Sequence, residues 1–212
     1  MALKLDITMS LDGYIAGPNQ TLENPLGEGA DGLHAWLFNL AAFREAHGME
    51  GGEDTPDSAV LEEAMGAGAV IMGRRMFSGG SGGWEDDPRA DGWWGDEPPF
   101  HAPVFVLTHH AREPRVMEGG TTFHFVTDGI ESALEQARAA AGDADISLAG
   151  GADVVQQALR AGLVDDIHVH VAPLLLGGGV RLFDTLDTRP DQLVRVRVID
   201  SPAVTHLRFQ PA

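Results

Sequence analysis

Apolar and polar residues alternate at the start of the chain. Leu3, Leu5, Ile7 and Met9 interleave with Lys4, Asp6 and Thr8, the period of two that predicts a strand. Ser10 to Pro18 then turns away through two glycines and a proline. Leu33, Trp36, Leu37, Leu40 and Phe43 recur at helical spacing, and Thr55-Pro56 opens a second helix with a capping hydroxyl followed by proline at the first helical position. Ala69–Met72 and Pro103–Leu107 are continuous apolar runs, as in strands covered on both faces. Thr121–Val126 predicts a strand, and Asp128-Gly-Ile-Glu131 has the form of a capping box before Ile130, Ala133, Leu134 and Ala137. Ile146–Ala149 predicts a strand, and Gly150-Gly151 leads into a helix through Val154, Val155, Ala158 and Leu159 that Gly162 ends. Ile167–Val171 is a further strand, and Val194–Ile199 and Val204–Phe209 form an antiparallel pair about a turn at Asp200-Ser-Pro202. Strands alternating with helices predict right-handed β-α-β units on a mostly parallel sheet, made mixed by the terminal hairpin. With 212 residues, no internal repeat and no shift in composition, the expectation is one α/β domain, with residues 78–102 as an ordered loop rich in glycine, proline and tryptophan.

Composition narrows the partners. There are 14 Lys+Arg against 32 Asp+Glu, a formal charge of −18, and Lys4 is the sole lysine. Such a balance counts against nucleic acid and anionic membranes as partners, since both are bound by basic patches. The absence of cysteine excludes disulfides, thiolate metal sites and thiol catalysis. No apolar run approaches the roughly 18 residues of a membrane span. Met1–Gly13 lacks the layout of a signal peptide, so a cytoplasmic protein is expected.

Ligands of open α/β sheets bind at the carboxyl ends of strands, where helix N-termini present N–H groups to anions. Three such ends carry suitable chemistry. After the first buried run comes Gly73-Arg74-Arg75-Met76, a glycine that permits close approach and two guanidiniums for phosphate oxygens. Leu107 is followed by Thr108 and His109, and the third end is Gly150-Gly151-Ala152-Asp153-Val154. Neither standard nucleotide fingerprint is present, so the signal lies in three ends occurring in order on one sheet. His168 and His170 project from one face of a strand, but no third metal ligand is identifiable and no metal site is predicted. Trp84, Trp93 and Trp94 either line a pocket by stacking or pin their loop to the core.

Five segments together resemble a known group: Ser10–Ala16, Val70–Phe77, Pro103–Thr108, Leu148–Gly151 and Pro173–Gly178. They look like the dihydrofolate reductase superfamily, above all the reductase domain of the bacterial bifunctional riboflavin-biosynthesis deaminase-reductase and its stand-alone relatives. The resemblance implies a three-layer α/β/α fold that binds NADPH. By it, Gly73, Arg74, Arg75 and Met76 meet the adenosine phosphates, with the two arginines favouring the 2′-phosphate. Leu107, Thr108 and His109 lie by the adenine ribose, and Gly150, Gly151, Ala152, Asp153 and Val154 hold the pyrophosphate. Ile15, Ala16 and Gly17 flank the nicotinamide as a mobile loop, with Thr8 at the base of the cleft. A homodimer is also implied.

The departures concern the substrate. Dihydrofolate reductases carry an acid in the first helix, but Gly32-Leu-His-Ala-Trp36 has none aligned, leaving Asp12, Asp31 and His34 as candidates for the proton route. No arginine stands in Pro98–Ala102, where those enzymes grip the folate tail. The expectation is an NADPH-dependent reductase delivering hydride to a pterin-like or pyrimidine-like heterocycle, and the rival is a non-catalytic binder that kept the nucleotide cleft.

Overall fold

A computed structural model describes residues 1–184, 186 and 192–212. In chain order the elements are β1 (Leu3–Ser10), β2 (Tyr14–Ala16), α1 (Ala41–Ala46), α2 (Pro56–Met65), β3 (Ala69–Gly73), α3 (Arg74–Ser78), β4 (Pro103–Leu107), β5 (Arg115–Val116), β6 (Thr122–Val126), α4 (Ile130–Ala141), β7 (Ile146–Gly150), α5 (Ala152–Arg160), β8 (Asp166–Ala172), β9 (Val180–Arg181), β10 (Leu193–Asp200) and β11 (Thr205–Pro211). The class is the expected α/β arrangement, helices alternating with strands of a mostly parallel mixed sheet and an antiparallel hairpin at the C-terminal end. Contacts divide the chain into two compact units, Met1–Lys4 with Ala67–Val164, and Leu5–Gly66 with Asp165–Ala212.

In the first unit the strand order is β7-β3-β4-β6-β5, parallel except for β5. Every residue of β3 is buried, as the unbroken apolar run requires of a strand covered on both faces. Val70, Met72, Phe77, Val104, Val106 and Phe123 form one core cluster, with Trp84, Trp94 and Phe100 packed against it. The α4 helix buries Ile130, Ala133, Leu134 and Ala137, the stripe expected from their spacing. Its cap differs from expectation. Gly129, at φ 91°, holds the N-cap position with no side-chain bond, so Asp128 and Glu131 close no capping box.

In the second unit β10 pairs with β11 and β11 with β8, both antiparallel. Thr55 accepts from the Asp57 amide at 3.2 Å, and Ser58 returns a hydroxyl to the Thr55 amide at 3.0 Å, so α2 starts where the sequence places it. The predicted helix through Leu33–Phe43 does not form as such. Leu33, Trp36 and Leu40 are buried, but the backbone runs in three-residue turns (Leu33 N to Ala30 O, Leu37 N to His34 O, Leu40 N to Leu37 O) and becomes α-helical only at α1. Successive i→i+3 turns return side chains to one face nearly as an α-helix does, and hydrophobic spacing does not separate the two. The alternation of β1 also slips: Leu3 and Leu5 are buried, then Thr8 and Ser10. The two hydroxyls are inside because each has a partner: Thr8 accepts from the Trp36 indole, and Ser10 donates to Asp12 and accepts from the Tyr14 amide.

Phe77 is fully buried and meets Phe123, Phe125 and Trp84 edge-on at 4.9, 5.3 and 6.1 Å between ring centroids. Phe77→Ala is expected to cost about 3–5 kcal/mol, read as a lower urea midpoint with unchanged slope.

Candidate functional site

The three strand ends picked out in the sequence are neighbours in the first unit. Gly73 pairs with Leu107 across β3 and β4, and Met72 pairs with Gly150 across β3 and β7. Because the three strands are parallel, their carboxyl ends emerge together, where α/β sheets receive ligands. A side chain at 73 would be crowded: a Cβ there would stand 3.0 Å from Val154 Cγ2 and 3.6 Å from the Gly151 amide nitrogen. Gly150 sits at φ 118°, and Gly151 faces open space at the start of α5, whose N-terminus has no side-chain cap. Uncapped helix N–H groups beside open space suit an anion. Ala152 and Val154 are buried in the first turn and Asp153 is exposed.

At β4, Leu107 and Thr108 are buried and His109 is exposed; the Thr108 hydroxyl accepts from the His110 amide at 3.1 Å.

The two arginines part company. Arg75 is exposed and makes no ion pair among the described residues. Arg74 is buried, bonded to Ser78 and Asp87, with its guanidinium carbon 3.6 Å from the centroid of Trp84. Its charge is neutralised within the protein. Burial pushes the Asp87 carboxyl up, but the Ser78 hydroxyl, the Arg89 amide and Arg74 outweigh it and hold it below its usual value. Met76 is half-buried against the core cluster.

For two of the tryptophans the pinning role is the observed one. Trp84 donates to the His110 carbonyl at 2.8 Å and lies between Arg74 and Arg112, while Trp94 packs on Phe100 at 4.7 Å. Asp91 holds Arg112 and Arg115 at 2.7 Å each, fastening the same loop.

The remaining candidates lie in the second unit. Buried Thr8 accepts from Trp36 Nε1 at 3.2 Å. Ile15 and Ala16 belong to β2, paired with β9, and Gly17 donates to the Leu26 carbonyl at 2.7 Å. The segment that the resemblance places by the nicotinamide is thus a paired strand. The reason is backbone crowding: a Cβ at Gly17 would lie 2.0 Å from the Glu28 carbonyl oxygen, and one at Gly179 2.1 Å from that of Ala16.

Asp12 accepts from Ser10 Oγ at 2.5 Å and from the amides of Leu176 and Gly177 at 3.1 and 2.8 Å. Those bonds, the Ser10 hydroxyl foremost, lower its pKa to about 2. It is ionised at neutral pH and holds the 174–177 turn. Asp31 is exposed on a short 3₁₀ turn, Ala30–Gly32. His34 is half-buried, and burial followed by the charge of His170 pushes its pKa down.

A polar run in the same unit escaped the sequence reading. His170 Nε2 lies 2.9 Å from Asp6 Oδ1, His170 Nδ1 lies 2.7 Å from His206 Nδ1, and His206 Nε2 lies 2.9 Å from Asp57 Oδ1. His168 stands between Asp6 and Asp166, at 3.5 and 3.3 Å. Burial pushes the Asp6 carboxyl up, but bonds from His168 and His170 outweigh it and carry it well below the carboxylate range. Among the described residues, no cluster of three or more His, Asp or Glu could hold a metal ion. The pairing of His168 and His170 on one strand face was a visible signal; Asp6, Asp57 and His206 come from three other elements and gave none.

Residues 2–205 match the family described as the RibD C-terminal domain, and the chain belongs to that family. Comparison with curated proteins gives no match. Among solved structures, a putative riboflavin biosynthesis protein from Shewanella sp. PV-4 is 20% identical, with a TM-score of 0.65 over 100% of this chain and 99% of that one. A diaminohydroxyphosphoribosylaminopyrimidine deaminase/5-amino-6-(5-phosphoribosylamino)uracil reductase from Thermotoga maritima is 15% identical with a TM-score of 0.59, and this chain spans 56% of its length. A pyrimidine reductase-like protein from Corynebacterium diphtheriae is 14% identical, with a TM-score of 0.57 over 100% of this chain and 92% of that one. At these identities the likeness shows a shared fold. With the family it supports a reductase-type function on this scaffold.

Asp87→Ala strands the Arg74 charge in the interior and is expected to destabilise the protein by about 3 kcal/mol or more, whereas Arg75→Ala is expected to stay within about 0.5 kcal/mol, both by urea unfolding. Since the folded carboxyl of Asp87 titrates lower than the unfolded one, its contribution is complete above about pH 4 and fades as pH falls further.

Proposed function

We propose that the protein is an NADPH-dependent reductase that delivers hydride to a small heterocycle, pterin-like or of the 5-amino-6-(5-phosphoribosylamino)uracil type. The observation that carries this is the side-by-side ending of β7, β3 and β4 around the Gly73 cradle. The missing side chain at 151 leaves open space at the uncapped start of α5, and the one at 73 lets Val154 pack against the end of β3. The residues present fit a dinucleotide's phosphates. Gly150, Gly151, Ala152, Asp153 and Val154 would hold the pyrophosphate on backbone N–H groups, Gly73 and Met76 would border the adenosine phosphates, and Leu107, Thr108 and His109 would border the ribose.

Arg75 is the guanidinium left to meet a 2′-phosphate, and Arg74 supports the turn that carries it. The bound cofactor would supply the hydride, and the protein would supply position and a proton. Asp12 accepts three hydrogen bonds that favour its ionised form, so of the three candidates for the proton route Asp31 and His34 are the better suited to donate. The residues that the resemblance assigns to the nicotinamide, Thr8, Ile15, Ala16 and Gly17, all belong to the second unit.

One observation favours a second reading, a nucleotide binder without catalysis: no acid occupies positions 32–36. Steady oxidation of NADPH with a reducible pterin or pyrimidine would exclude it. The partner we propose is a second copy of the chain, supported by the edge strand β10, whose Val194, Val196 and Val198 are each about half exposed. A cytoplasmic location accords with this reading, and among the described residues no helix is long and apolar enough to cross a membrane.

Arg75→Ser is expected to weaken NADPH about tenfold or more while leaving NADH within about twofold, by calorimetric titration; an equal effect on both would remove the 2′-phosphate role. Light scattering is expected to give the mass of two chains for the wild type and of one for Val196→Lys.

A further inference from the structure

The run Asp6–His170–His206–Asp57 joins four elements, β1, β8, β11 and α2, through three consecutive hydrogen bonds of 2.9, 2.7 and 2.9 Å. All four side chains are 7% exposed or less except Asp6, at 23%. Each bond needs one hydrogen. A neutral imidazole carries one N–H, and an ionised carboxylate carries none. Two neutral histidines between two carboxylates therefore supply two hydrogens for three bonds. With both Nε2–H groups directed at the carboxylates, the facing Nδ1 atoms of His170 and His206 would otherwise oppose two lone pairs at 2.7 Å.

We infer that this run holds one proton more than its neutral-histidine form, shared between His170 Nδ1 and His206 Nδ1, and that the resulting buried cation is a positioning device for Trp36 and, through it, for Thr8. The Trp36 ring packs on both imidazoles, at 5.1 Å from His170 and 5.0 Å from His206, and its indole N–H donates to Thr8 Oγ1. An imidazolium held over an indole face gains an electrostatic attraction that a neutral ring lacks.

The surroundings compensate one positive charge. Asp6 faces His170 from β1 and Asp57 faces His206 from α2, where a carboxylate in the first turn also meets the positive end of the helix. The Ser201 hydroxyl adds a bond to Asp57 at 3.1 Å. His168 shares Asp6 from the far side, backed by Asp166 and Arg208, and His34 meets the field of His170. Burial pushes the pKa of His206 down in spite of Asp57, which draws the shared proton toward His170 Nδ1. His206 is then the neutral member, donating Nε2–H to Asp57 and accepting at Nδ1.

Linkage sets the sign of the pH dependence. Unfolded histidines titrate near pH 6.5. Above that value the folded run binds one proton more than the unfolded chain, so stability falls when alkali removes it. Below it the unfolded histidines bind two while the folded pair holds one, so stability falls with acid as well.

The test uses the full chain with ¹⁵N-labelled histidine and no ligand, so it stands or falls apart from the NADPH reading; only the meaning of Thr8 for catalysis rests on that reading. At pH 7.5 one ring is expected with both nitrogens protonated, a second with Nε2 alone protonated, and a through-hydrogen-bond coupling between their Nδ1 atoms. His34→Gln and His168→Gln should leave that pair of signals in place. Two neutral rings, or no coupling, would overturn the shared proton. In Asp57→Asn the coupling should vanish at a pH at least one unit lower than in the wild type, and an unshifted loss would overturn the charge compensation. The Trp36 emission, taken as wild type minus Trp36→Phe, should step at the pH where the coupling disappears; a flat signal there would overturn the positioning role.

Discussion

The parallel pairing of β7, β3 and β4 is the constraint on which the candidate nucleotide site depends. Parallel strands end at the same side, and their register brings Gly150, Gly73 and Leu107 to that side together. All five residues of β3 are buried, and its pairing with β4 and β7 fixes which residues reach the strand ends. The space above the strand ends follows from the same packing. Val154 approaches Gly73 so closely that a side chain there would crowd it, and Gly151 beside the buried Gly150 has no neighbour within 4 Å of where a Cβ would stand. Turn chemistry and helix start are consequences of a sheet that is already in place.

Charge is organised differently in each unit. In a chain with 14 cationic groups and 32 acidic ones, five arginines among the described residues are held by carboxylates: Arg74 by Asp87, Arg112 and Arg115 by Asp91, Arg208 by Asp166 and Glu63, and Arg197 by Glu63. Arg75 stands apart at the strand end. Neutralising Arg74 inside the turn shapes the loop after α3, and it leaves one exposed guanidinium where two adjacent ones stand in sequence. The second unit, besides its pairs at Arg197 and Arg208, buries imidazoles and carboxylates in a line. Groups of that kind are stable away from water only when each hydrogen-bonding position is answered, which is why proton number and geometry are linked there.

Ser10 and Thr8 show how the polar interior reaches backbone shape. A strand read by alternation should turn Ile7 and Met9 inward, yet the two hydroxyls lie deeper. Ser10 orders Asp12, which holds the amides of 176 and 177, and Thr8 receives the Trp36 indole. A carboxylate suggested as a proton carrier is thereby a fastening of the backbone.

Local chemistry was enough to read the strands β3, β4, β6, β7, β8, β10 and β11, the helices α2, α4 and α5, and the three strand ends with their glycines and arginines. Hydrophobic period, turn residues and caps act over a few residues and are visible in any linear stretch. The segment 33–40 was legible only as to which side chains go inside, because repeated three-residue turns and an α-helix bury nearly the same positions. What tertiary structure alone decided was pairing between distant positions: that Arg74 is taken by Asp87 and Arg75 is not, that Gly17 is pressed on Glu28, and that Asp6, Asp57, His170 and His206 form one line. Such pairings depend on which faces of separate elements and loops meet, and no local period encodes the protonation or the partner of a side chain that another segment brings up to it.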